Sequence, residues 1–148
     1  MIVSVIEKGD AFEKSGDDFP ARLYVTFEYD PAKLSGWEKL KYRAARLLYG
    51  ESPPLHALTY VWANSAKPGS IIPNAHSARA VMIVVQSGEA RLGQWVDETR
   101  DVYKDYKEVF GENPPMLSGV AMMTDSDNTG ESAVAYYGDI VFAARGPL

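Results

Sequence analysis

Residues 79–87, RAVMIVVQS, form a nearly continuous apolar run. A run that short and that apolar reads as a central strand buried on both faces. The rest of the chain then has to supply neighbouring strands and covering layers. Residues 21–29 alternate, with Leu23, Val25, Phe27 and Tyr29 on one side and Arg22, Tyr24, Thr26 and Glu28 on the other. That is the period of a half-buried strand. Residues 55–63, LHALTYVWA, carry the aromatic and β-branched content of a third strand. Residues 2–6, 116–124 and 132–144 complete the strand set.

Two helical patterns interrupt it. Over 35–50, Ser35 and Glu38 stand at capping-box spacing, and Trp37, Leu40, Ala44, Leu47 and Leu48 make an apolar stripe that Gly50 closes. Over 93–110, Trp95, Thr99, Val102, Tyr106 and Val109 recur on one side. There Asp97, Asp101 and Asp105 fall at four-residue intervals, where like charges cost about 0.2–0.5 kcal/mol per pair. Arg100, Lys104 and Lys107 stand close enough to compensate. Residues 64–78 form a long Pro/Gly/Ser/Asn loop, and loops of that length are often functional.

The order fits a mainly β fold, an antiparallel β-sandwich with two inserted helices. A ferredoxin-type α+β sandwich is the alternative. At 148 residues the chain is expected to be a single domain, residues 1–148. The net charge of −5, with no basic run, argues against a nucleic-acid binder. The absence of cysteine removes disulfides, thiolate ligands and cysteine nucleophiles. No stretch approaches the roughly 18 apolar residues of a membrane span.

Chemistry concentrates in residues 124–140, TDSDNTGESAVAYYGDI, an acidic, amide-bearing loop between two apolar segments that reads as a closing hairpin. Asp125, Asp127 and Thr129, followed by Gly130, match the first half of a calcium loop. The EF-hand version fails, because the twelfth position from Asp125 is Tyr136, not a bidentate Glu. The alternative is an Asx-rich turn whose carboxylates bond nearby backbone amides. Asp17 and Asp18 in the turn at 16–20 supply further carboxylates. A hydrolase pair would need one of them within roughly 10 Å of Asp125 or Asp127. His56 reads as a structural histidine and His76 as a lone loop histidine. No nucleophile elbow, Walker loop or dinucleotide fingerprint is present.

The blocks GDDFPARLYVTF (16–27), LTYVWAN (58–64), RDVYKDYKEVFGENPP (100–115) and TDSDNTGESAVAYYGDI (124–140) resemble an uncharacterised bacterial family of domain-of-unknown-function type. Its members usually carry an export signal and further strands before the first block. The resemblance therefore implies a periplasmic or exported setting and a chain trimmed at its N-terminus. The last block also looks like the closing strands of galactose-binding-type jelly rolls. Those are usually non-catalytic glycan binders, often with a structural calcium ion.

That second resemblance implies a metal site at Asp125, Asp127, Thr129 and Asp139, and a ligand site at Trp62, Asn64, Arg100, Asp127 and Tyr137. The aromatic rings, among them also Tyr60, Trp95 and Tyr136, would stack on sugar C–H faces. The expected function is a non-catalytic binding module for a carbohydrate or other polar cell-envelope ligand. The alternatives are a carboxylate-pair hydrolase acting on glycans and an assembly protein with an open sheet edge at residues 2–6.

Overall fold

The computed structural model describes residues 1–8, 11–28, 36, 39–40, 56–74 and 79–144. Within them the fold is mainly β, with five strands in one open mixed sheet. They are β1 (Ala21–Phe27), β2 (Ala57–Ala63), β3 (Ile71–Pro73), β4 (Ala80–Ser87) and β5 (Leu117–Met123), and the spatial order is β3-β4-β2-β1-β5. One α-helix, α1 (Val102–Phe110), lies between β4 and β5 in the chain. No described helix is long and apolar enough to cross a membrane.

The antiparallel expectation is corrected at one place. β1 pairs antiparallel with β2 and β5, and β3 with β4, but β2 and β4 run parallel, with Leu58 opposite Val81 and Tyr60 opposite Ile83. The connection between them is long enough to cross over, and it contains β3 where a structureless loop is expected. The helix expected over 35–50 lies almost wholly outside the described residues, as do Trp37 and His76.

β2 is the middle strand and carries the core on both faces. On one side Val25, Phe27, Leu58, Tyr60 and Ile83 pack against Tyr106 of α1, with Val102, Val109 and Phe110 beside it. On the other, Val61, Ala63, Met82 and Val84 pack against Phe19, Ile72, Ala11 and Ala66. The apolar run of β4 thus serves both faces. Its even residues Met82 and Val84 point one way and Ile83 the other, as strand alternation requires.

The second expected helix begins nine residues later than its apolar pattern suggests. Gly88 and Gly93 turn the chain at φ 67° and 70°, a conformation glycine adopts without penalty. Asp101 then sets the first turn, accepting a hydrogen bond from the Lys104 amide at 3.0 Å. Gly111, at φ 72°, ends the helix by donating its N–H to the Lys107 carbonyl. The Asp97–Asp101–Asp105 stripe therefore does not exist as a helical face. Asp97 precedes the helix, Asp101 caps it, and Asp105 turns inward.

The terminal segments are not the strands they resemble. Ile2 makes one isolated antiparallel bridge to Ala135. The amides beyond it find side-chain acceptors instead of a ladder, those of Glu7 and Lys8 bonding Glu131 Oε2 at 2.7 and 3.3 Å. Residues 132–140 do not return along β5, so the expected closing hairpin is absent. β5 pairs with β1 instead.

Candidate functional site

The acidic loop after β5 folds over the 16–20 turn before β1, because these strands are neighbours and their ends meet. The Asp125 amide donates to the Phe19 carbonyl at 3.2 Å, and the Thr124 hydroxyl to the Pro20 carbonyl at 3.0 Å. Asp18 is the clamp. Its Oδ2 accepts the Thr129 amide at 2.7 Å, and its Oδ1 accepts the Asn128 amide at 3.3 Å and Asn128 Nδ2 at 3.0 Å. Burial pushes the Asp18 carboxyl up, but these donors outweigh it and hold its pKa below the ordinary aspartate value.

Arg22 sits at the centre of this junction and is 2% exposed. Its Nη1 lies 3.1 Å from Asp17 Oδ1 and its Nη2 2.9 Å from Asp125 Oδ2, with a further bond to the Asp17 carbonyl. The Phe19 ring lies 4.7 Å from the guanidinium carbon. Burying a guanidinium is costly unless it is paired; here two carboxylates and an aromatic face supply the compensation. Tyr137 closes the same end of the sheet. Its hydroxyl accepts from the Arg22 amide at 3.3 Å and donates to the Met123 carbonyl at 2.7 Å, bridging the last rung between β1 and β5.

Asp18, Asp125 and Asp127 each present an oxygen within 4.8 Å of the others, a grouping that can hold a metal ion. With Asp17, four carboxylates surround one guanidinium. Burial and a hydrogen bond shared with Asp127 push the Asp125 carboxyl up, against the pull of Arg22. The junction accordingly carries an excess of negative charge that a proton or a cation relieves. Of the expected metal set, Asp125 and Asp127 belong to this group and Asp18 joins them. The Thr129 hydroxyl accepts the Glu131 amide at 3.4 Å, and Asp139 lies outside the group.

The expected ligand set does not converge on one open surface. Trp62 is 6% exposed and donates its Nε1–H to the Gly88 carbonyl at 2.9 Å. The Asn64 side-chain oxygen accepts from the Ser65 amide at 2.7 Å. Arg100 grips Asp105 through Nε (3.0 Å) and Nη2 (2.7 Å), and Tyr60 donates to the same carboxylate at 2.8 Å. Burial, and then that Asp105 contact, push the Tyr60 hydroxyl well above its ordinary pKa, while Asp105 raises that of Arg100. This is the anchor of α1 on β2. His56 is likewise engaged, its Nδ1 2.6 Å from the Tyr106 hydroxyl and its ring stacked on Phe110.

Two of the candidate aromatics are left open. Trp95 is 61% exposed and Tyr136 52% exposed. The edge of the Trp95 ring lies over Gly138, 3.6 Å from where a Cβ would stand. Tyr136 precedes Gly138 by two residues, in a segment where exposed and half-buried positions alternate from Ser132 to Gly138. The two rings thus flank one extended strip. Arg22 is the residue that sequence reasoning passed over. It reads as one polar position in an alternating strand, and only its spacing from Asp17 and Asp18 hints at a partner.

The fold and site together define an open, mainly β, mixed-sheet protein whose loops are tied by an arginine–carboxylate junction. The chain belongs to the family of proteins of unknown function DUF3047, whose model matches residues 1–141. No curated protein and no solved structure matches it.

Proposed function

We propose that this protein is a non-catalytic binding module for a carbohydrate of the cell envelope, in an exported setting, and that Trp95 and Tyr136 form its platform. The observation that carries the reading is the Trp95 ring, largely exposed and seated against Gly138. A large aromatic surface held open by a glycine neighbour is suited to stacking on the C–H face of a sugar ring. The finer architecture belongs to the same proposal, with the five-stranded sheet as one layer of a jelly-roll sandwich. The antiparallel pairings around β1 and the resemblance of residues 124–140 support it.

The engaged carboxylates favour binding over hydrolysis. Both oxygens of Asp18 accept amide hydrogens and Asp125 is paired with Arg22. A glycosidase pair needs one carboxyl free to give a proton and the other free to act on carbon or water. Calorimetry against a panel of envelope glycans tests the proposal: saturable heat with at least one supports it, and none across the panel opposes it.

A second reading places a structural calcium ion among Asp18, Asp125 and Asp127. The negative excess around Arg22 favours it, and carboxylate oxygen is the donor calcium takes. In this reading the ion stiffens the loop and does not touch the glycan.

A further inference from the structure

β5 closes one side of the sheet, and its outer edge has no partner strand among the described residues. All seven of its residues are exposed. Every second residue of an antiparallel strand turns its N–H and C=O away from its neighbour, so this edge offers a row of unpaired backbone groups. Protective features that usually blunt such an edge are missing. The opposite edge, β3, is three residues long and ends in Pro73. β5 has no proline, and residues 114–124, PPMLSGVAMMT, contain no charge. Its exposed side chains include Leu117, Val120, Met122 and Met123.

We propose that a second copy of this chain docks here, antiparallel β5 against β5, joining two five-stranded sheets into one of ten. A strand paired with itself about a two-fold axis must be compatible with its own sequence. The one register that overlaps all seven residues places Val120 on the axis. Leu117 then faces Met123, Ser118 faces Met122, and Gly119 faces Ala121. Apolar cross-strand pairs of this kind stabilise a sheet, whereas like charges directly opposite destabilise it. No like charges meet here: continued one step further, the register sets Asp125 against Pro115. The chain's net charge of −5 still repels its copy at long range, so the association tightens as salt screens it.

Sedimentation velocity over a range of concentrations tests this, with Val120→Lys and Val120→Thr beside the wild type. The wild type and Val120→Thr are expected to dimerise, more tightly at higher salt. Val120→Lys, which sets two ammonium groups face to face on the axis, is expected to weaken the dimer about tenfold or more. Because the chain has no cysteine, Val120→Cys gives a single-thiol reporter that needs no disruptive charge. Oxidation should cross-link it into dimers, whereas Ser65→Cys, exposed on the β2–β3 connection, should stay monomeric. A wild type that remains monomeric at the highest concentration overturns the proposal. So does a dimer that Val120→Lys leaves intact, or cross-linking no greater at Val120→Cys than at Ser65→Cys.

Discussion

Arg22 and Asp125 are 103 positions apart in the chain and 2.9 Å apart in space. That contact ties the start of β1 to the loop beyond β5 and holds the acidic loop in one shape. Because Arg22 is buried and shared with Asp17, its removal leaves two largely buried carboxylates without their cation. Arg22→Met is expected to cost about 3–5 kcal/mol, the range for breaking a buried ion pair from one side. Urea denaturation measures it. A loss under 1 kcal/mol, within the usual worth of an exposed ion pair, would show the junction to be incidental.

The carboxylates of this junction titrate in opposite directions. Asp18 has a folded pKa below its unfolded one, so it contributes stability above the unfolded pKa and loses it as pH falls through the folded value. Asp125 has a folded pKa above its unfolded one, so its favourable contribution is complete below the unfolded value and is lost as pH rises through the folded value. Carboxyl-detected NMR titration should therefore find Asp18 titrating below the ordinary aspartate range and Asp125 above it. Asp18→Asn should lower stability at neutral pH, with the difference from wild type shrinking as pH falls through the folded Asp18 pKa.

Calcium supplies a separate test of the charge excess. A cation that binds only the folded chain raises its stability by mass action. Saturating calcium is expected to raise the melting temperature by several degrees, and Asp127→Asn, an exposed member of the trio, to remove most of that rise. An unchanged melting temperature would leave a shared proton as the agent that relieves the excess.

The far side of the sheet has its own anchor. Asp105 is buried between Tyr60 and Arg100 and fixes α1 on β2. Tyr60→Phe should cost about 1–2 kcal/mol, because it removes one hydrogen bond to a charged group and leaves the ring in place. Asp105→Leu should cost more, since it strands both the Tyr60 hydroxyl and the Arg100 guanidinium. Equal losses from the two variants in chemical denaturation would argue against this division of roles.

Local pattern carried most of the sheet. The alternation of Leu23, Val25 and Phe27 and the apolar run of 80–85 mark β1 and β4 because a strand's burial repeats every two residues. Pairing left no such trace. Nothing in LHALTYVWA announces that its strand lies parallel to β4, and nothing in residues 132–140 announces a bridge to Ile2 instead of a return along β5. Both are consequences of long-range packing. The Asp125–Asp127 loop was legible as acidic, but Arg22, its principal partner, looked like any polar residue on the outer face of a strand. Helical periodicity also misled at 93–101, where two glycines in the left-handed region and the Asp101 cap outweigh a plausible apolar stripe. Trp62 and Trp95 are the same residue type with opposite fates, one in the core and one in solvent, which composition cannot distinguish.

The central claim is that the exposed Trp95 and Tyr136 rings bind sugar. Titration of the wild type and of Trp95→Ala with an envelope glycan, followed by calorimetry, tests it most directly. The account predicts saturable binding by the wild type and a loss of about tenfold or more in Trp95→Ala, with its melting temperature unchanged. Equal affinity in the two proteins would contradict it.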